Sequence, residues 1–249
     1  MPGFPSLALT RRRLLASVAA LATSATAAPA FGRSYRGVLP WEPNSADPPA
    51  PVRPSPWLFF TADEAAAVEA IVDRLIPQDA LGAGGKAAGC AVFLDRQLAG
   101  SLGDSRRLYM RAPFARGTPQ QGLQSQTVPK DLYRASLAAL DAYCKRTFAG
   151  KSFATLGAAE QDQVLTGLDK GEITLDGSGK AFFELILQNT MEGFFADPIY
   201  GGNRDMVSWK LIGFPGARYD YRDHVTKHNQ PYPLPPVSIL GRGDWNVSG

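Results

Sequence analysis

Residues 192–216 read Glu192-Gly193-Phe194-Phe195-Ala196-Asp197-Pro198-Ile199-Tyr200-Gly201-Gly202-Asn203-Arg204-Asp205-Met206-Val207-Ser208-Trp209-Lys210-Leu211-Ile212-Gly213-Phe214-Pro215-Gly216. An apolar stretch holding Phe182, Phe183, Leu185, Ile186, Leu187, Met191, Phe194 and Phe195 runs into Asp197-Pro198. The missing proline N–H and the ring's bulk end a helix there. Gly201-Gly202-Asn203 then tolerates positive φ, so the chain can reverse sharply. After Glu192 the only carboxylates are Asp197 and Asp205, and the run contains no His or Cys. Such a segment builds a shaped surface, without the groups acid–base or nucleophilic chemistry needs.

Working outward from this turn, the pattern is mainly α: a single irregular helical domain over residues 57–249. It follows a Pro-rich extended segment and ends in a Pro/Gly-rich tail at 214–249. Thr61-Ala62-Asp63-Glu64 has the form of a capping box, followed by Val68, Ile71, Val72 and Leu75 at helical spacing up to Pro77. A second helix is expected over Lys86–Ala99, with Cys90, Phe93, Leu94, Gln97 and Leu98 on one face. A third is expected over Lys130–Phe148, striped by Tyr133, Leu137, Leu140 and Cys144. Further helices are expected at Ala158–Asp169, Gly179–Ala196 and Met206–Leu211. No pair of alternating apolar runs joined by a tight turn suggests a sheet. Phe182, Phe183, Phe194 and Phe195 read as core.

At the other end, Thr10-Arg11-Arg12-Arg13 precedes a short Ala-rich apolar stretch. Arg11 and Arg12 ahead of a weakly hydrophobic segment have the form of a twin-arginine export signal over residues 1–30, which places the chain in the periplasm. The stretch is too short and too rich in Ala, Ser and Thr to span a bilayer, which takes about 20 apolar residues. The formal charge is +3, from 26 basic and 23 acidic residues. Residues 1–30 hold three of the arginines and no acid, so without them 23 basic side chains face 23 acidic ones. The basic balance therefore implies no affinity for nucleic acid or anionic lipid.

Residues 31–56 follow as a Pro-rich segment, with seven prolines between positions 39 and 56. That density is incompatible with helix and reads as an extended linker, or as an arm anchored by Trp41 and Trp57. From Phe214 onward Pro and Gly dominate again, and disorder of the last fifteen residues is an open alternative to a tail laid against a partner.

The candidate chemical constellations are sparse. His224 and His228 stand four apart and admit a metal pair on one helix face, but they lie in the Pro/Gly tail without a glutamate at the general-base position. Gly82-Ala83-Gly84-Gly85-Lys86 and Gly150-Lys151-Ser152 superficially resemble phosphate loops. They lack the preceding strand or the full glycine spacing and read as turns. Cys90 and Cys144 form no Cys-x-x-Cys motif. Each lies on the apolar face of its helix, leaving two readings: a disulfide closing a loop of about 55 residues, worth ~4 kcal/mol in the chain-entropy picture, or two buried thiols. Glu184 and Asn189 lie inside an apolar helix and either brace neighbours or face outward. Tyr200, Asn203, Arg204 and Trp209 combine apolar bulk with polar reach, as interface anchors do, or else pin the turn internally.

The Asp-Pro-Ile-Tyr-Gly-Gly-Asn-Arg run at 197–204 and Trp-Lys-Leu-Ile-Gly-Phe-Pro-Gly at 209–216 closely resemble the small third subunit of membrane-bound gluconate 2-dehydrogenase complexes. The likeness extends from Phe59-Phe60-Thr61 through Ala91–Gly100 to Tyr219. Related small subunits accompany flavin dehydrogenases of fructose, glucose and sorbitol. The resemblance implies a chain without catalytic residues, cofactor or metal of its own. It implies as partners an FAD-containing large subunit of the glucose-methanol-choline oxidoreductase type and a multihaem cytochrome c that carries haem c and passes electrons to membrane quinone. Membrane association would then come only through the complex, and the leader would serve to export a flavoprotein folded onto this chain. The rival expectations are a free-standing periplasmic enzyme and a sugar-binding module.

Overall fold

The structure is a computed structural model of the chain. It describes residues 53–239 apart from 107–109, 111, 116, 119–120, 122–125 and 219–220. The leader with Arg11 and Arg12, and most of the Pro-rich segment including Trp41, lie outside the described residues.

Six α-helices carry the described chain: α1 Ala62–Leu75, α2 Cys90–Ala99, α3 Pro129–Thr147, α4 Ala158–Asp169, α5 Gly179–Phe195 and α6 Val207–Ile212. Short 3-10 turns at Phe153–Thr155, Leu175–Gly177, Pro198–Tyr200, Arg204–Met206 and Arg222–His224 join or follow them. Among the described residues there is no strand, only an isolated bridge between Gly216 and Val237. The mainly α reading of the sequence holds.

α1 starts where the capping box requires. The Glu64 N–H donates to Thr61 Oγ1 at 3.3 Å, and the Thr61 N–H donates to Glu64 Oε2 at 2.8 Å. Val68, Ile71 and Val72 are fully buried. α3 buries Tyr133, Leu137, Leu140 and Cys144, the stripe expected from its spacing. α5 is the hub and packs against each of the other five helices. Its Phe182, Phe183, Ile186 and Phe194 are buried, and the Phe182 ring meets Tyr133 of α3 edge-on at 5.6 Å. Asn189 braces this contact from within: its Oδ1 accepts from Tyr133 Oη at 2.9 Å and its Nδ2 donates to Glu192 at 2.9 Å. Glu184 is exposed.

Three expectations are corrected. α2 begins at Cys90 rather than Lys86, because Gly89 takes a left-handed φ of 82° and residues 85–89 form a turn. A Cβ on Gly89 would lie 2.6 Å from the Gly201 carbonyl oxygen, so the turn also depends on close backbone approach. α6 begins one residue late because Met206 is itself left-handed, with φ 56°. Phe195 is not core: it is 42% exposed, one position further round α5 than the buried Phe194, whose ring it meets edge-on at 5.2 Å.

Cys90 and Cys144 are free and buried, so the bridge left open by the sequence is not formed. Burial pushes their thiols from the ordinary 9.0 up to about 12 and about 11 respectively. Both groups are protonated at neutral pH and poorly nucleophilic.

Two buried carboxylates fasten the ends of the described chain. Asp95 is fully buried on α2 and accepts the consecutive N–H groups of Leu58, Phe59 and Phe60 at 2.8–2.9 Å. Arg96 pairs with Asp95 and donates to the carbonyls of Arg53 and Pro56. At the other end, Asp197 accepts from Ser238 Oγ at 2.6 Å and from the Ile239 N–H at 2.7 Å. Residues 235–239 therefore lie back against the protein, with Ala217 N–H bonded to the Val237 carbonyl at 2.7 Å. Residues 240–249 lie outside the described chain.

Candidate partner interface

The segment from Ala196 to Gly216 is built unlike the helices around it. Asp197 caps the Pro198–Tyr200 turn by accepting from the Ile199 N–H at 3.0 Å. Gly202 then passes directly over α5: a Cβ there would lie 2.1 Å from the carbonyl oxygen of Gly193. Asn203 follows with φ 44° and is fully buried. Its Nδ2 donates to the Ala196 carbonyl at 2.8 Å, while its Oδ1 accepts from Ser208 N–H at 3.0 Å and from Ser208 Oγ at 2.8 Å. One side chain thereby ties the start of the turn to α6. Asp205 and Met206 are also left-handed, at φ 57° and 56°. Such backbone costs about 1–2 kcal/mol at each non-glycine residue and persists only where surrounding contacts impose it.

Trp209 supplies a second tie. Its indole N–H donates to the Phe195 carbonyl at 2.9 Å, capping an orphan acceptor at the end of α5, and its ring meets Phe214 edge-on at 5.1 Å. The Arg204 N–H donates to the Ala88 carbonyl at 2.9 Å and joins the turn to the lead-in of α2.

The four expected anchors therefore separate into two pairs. Asn203 and Trp209 are buried and pin the turn, which corrects the expectation that they face a partner. Tyr200 and Arg204 are exposed. Around them the same segment opens apolar side chains to solvent: Met191 and Phe195 on the outer face of α5, Ile199 and Tyr200 in the turn, and Leu211, Ile212 and Phe214 at and beyond α6. Each is between 37% and 58% exposed. Met191 and Phe195 are spaced i, i+4 and so share one strip of α5, beside the exposed polar stripe of Lys180, Glu184, Gln188 and Glu192. Arg204 and Lys210 are exposed beside these residues, and neither makes an ion pair among the described residues.

Residues 62–216 match the family described as gluconate 2-dehydrogenase subunit 3. The chain belongs to that family. The matched span ends at Gly216, so it takes in α1 through α6 and the whole of this turn in the gluconate 2-dehydrogenase subunit 3 fold. As the family's description says, such a chain is one subunit of a multi-subunit dehydrogenase. Neither a curated relative nor a solved structure matches the chain.

A cavity of about 610 Å³ opens between α1, α3 and the 150–155 loop, lined in part by Asp63, Glu64, Asp141, Lys145 and Ser152. No His or Cys lines it. Glu64 is engaged by Thr61 and Arg134, and Asp141 holds Lys145 at 2.7 Å, keeping that ammonium above its usual value. His224 lies in a single 3-10 turn against the Tyr232 ring at 4.7 Å, and His228 follows beyond it, so the two do not share a helix face. Among the described residues no group of three or more His, Cys, Asp or Glu could hold a metal. Nor is any helix among them long and apolar enough to cross a membrane. The two glycine runs are turns: Lys86 pairs with Glu69 at 3.0 Å, and Gly150 takes φ 84°.

Sequence reasoning missed Asp95, Asp197 and the open apolar set. Asp95 had a readable signal, a lone carboxylate among Ala91, Val92, Phe93, Leu94 and Leu98 on the apolar face of its helix.

Proposed function

We propose that this chain is the non-catalytic small subunit of a periplasm-facing, FAD-dependent dehydrogenase complex that oxidises gluconate or a related sugar acid, polyol or sugar. The family match over residues 62–216 carries this reading. In it the flavin belongs to the large subunit and haem c to a cytochrome subunit, and this chain holds neither. Its own part is to stabilise the flavoprotein and, through the twin-arginine leader beginning at Arg11 and Arg12, to carry it across the membrane already folded. The arrangement of the described side chains supports a structural role, because the buried Asp95, Asn189, Asn203 and Asp197 are spent on caps, braces and turn closure.

Purification of the tagged full chain from solubilised membranes tests the reading. Flavin and haem absorbance should accompany the tag, and sugar-acid oxidation should reside in the complex and be absent from the isolated subunit. Recovery of the chain alone, turning over a sugar with an artificial acceptor, would overturn it. For the export role, Arg11→Lys with Arg12→Lys should leave the flavoprotein in the cytoplasm.

A further inference from the structure

We infer that residues 236–239 are an exchangeable strap: they fill an extended-peptide slot built by Asp197 and residues 215–217, and their seating closes residues 196–216 into a unit that opens apart from the helical body. Nothing in this depends on the accessory-subunit reading. The chain is exposed over most of residues 221–235, then returns so that Pro236, Val237 and Ser238 are buried. Val237 pairs with Gly216 as a parallel strand would. Its N–H donates to the Pro215 carbonyl at 3.3 Å, and its own carbonyl accepts the Ala217 N–H at 2.7 Å. A Cβ on Gly216, where φ is 79°, would lie 2.2 Å from the Val237 carbonyl oxygen, so the floor of the slot has to be glycine.

Asp197 makes the slot selective. Its carboxylate accepts the Ile199 N–H from the turn at 3.0 Å and, from the strap, Ser238 Oγ at 2.6 Å and the Ile239 N–H at 2.7 Å. The ligand such a slot takes is an extended peptide carrying a small apolar side chain, then a hydroxyl, then a free N–H, with main-chain pairing of the strand-addition kind. Because Asp197 begins the irregular segment and Gly216 ends it, one short strap clasps both ends. Unseating the strap takes two donors from a buried carboxylate, so the Pro198–Tyr200 turn must loosen until water reaches Asp197. Val237 is buried yet stands outside the core cluster of the helical body, which therefore loses little packing when the strap leaves. Such an opening is a local one, lying below global unfolding.

Hydrogen exchange on the full chain, read by mass spectrometry, provides the test. Val237→Asp places a charge at a buried position of the strap and should unseat it. Exchange across residues 196–216 should then quicken at least tenfold, with α1 to α4 exchanging as in the parent. A capped synthetic peptide copying residues 234–240, added in excess, should restore slow exchange, and the same peptide with alanine at the position of Ser238 should restore it less. Val225→Asp, in the exposed run, should exchange as the parent does. Ser238→Ala is a gentler change that should quicken the same residues severalfold, and it serves if the aspartate variant does not fold.

Unchanged exchange across 196–216 in both strap variants would overturn the clasp. Acceleration spread equally over α1 to α4 would overturn the separate opening. A peptide without effect on Val237→Asp would overturn the exchangeable slot, and equal rescue by the alanine peptide would overturn the selectivity assigned to Asp197. Each of these results would leave the accessory-subunit reading intact.

Discussion

The helices from α1 to α5 and the turn that follows them meet at Gly193 and Gly202, yet they are held together by opposite means. In the helical body, regular backbone comes from local hydrogen bonds, and side chains at 3.6-residue spacing pack into a common core. In residues 196–216, buried polar atoms hold an irregular backbone, and large apolar side chains point outward. The difference teaches that an exposed hydrophobic group is informative when the scaffold beneath it is rigid. A loosely held loop would fold its own apolar groups inward; this one is prevented from doing so.

Truncating the body should have the largest effect. Phe182→Ala removes a fully buried ring packed on Tyr133 and should cost about 3–5 kcal/mol in denaturant unfolding, with the whole chain affected. Asn203→Ala should cost about 2–3 kcal/mol, from three lost hydrogen bonds and a strained φ. The contrast would appear in hydrogen exchange, where residues 196–216 should lose protection first and α1 to α4 retain it. Asn203→Gly accepts the left-handed backbone but lacks the bonds, so it should recover only part of the loss. Equal stability of the alanine and glycine variants would assign the whole effect to hydrogen bonding.

Much of the body was legible in advance. Thr61 and Glu64 marked the start of α1, and Ala158–Asp169 was read with its bounds as observed. Propensity and periodicity act over neighbouring residues, and so does the eye reading a sequence. The misread boundaries, at Lys86 and Met206, lie where specific contacts accompany left-handed backbone: Gly89 against Gly201, far away in sequence, and Asn203 against Ser208, five residues on. In the candidate interface, the residue types were recognised but not their division. Asn203 and Trp209 on one side, and Tyr200 and Arg204 on the other, are equally suited to a contact surface. Which of them turns inward depends on the carbonyls of Ala196 and Phe195, and a sequence does not display those.

A pH titration probes the body again, with a smaller effect. Cys90 and Cys144 have folded-state values raised from 9.0 to about 12 and about 11, so the unfolded chain ionises first. Their contribution is fully present below pH 9 and falls as pH rises through the folded values. Tyr133, raised by burial and by Glu192, has the same sign. The unfolding free energy should drop above pH 9 by on the order of 1 kcal/mol per pH unit per thiol, and by less in Cys90→Ala with Cys144→Ala. A thiol reagent should find two reactive groups per chain in guanidinium and none in the folded protein. Smallest of all, Thr61→Ala should cost about 0.5–1 kcal/mol, because its cap is exposed and water can replace it.

Asp95 has a mechanical consequence. Its carboxylate grips Leu58, Phe59 and Phe60, and neighbouring Arg96 grips Arg53 and Pro56, so tension applied upstream of residue 53 enters the protein through α2. The first turn of α1, immediately downstream, is shielded from that load. A polypeptide pulled by its leading end would therefore be towed by a rivet set in one of its most buried helices, and its first helix would not be peeled away.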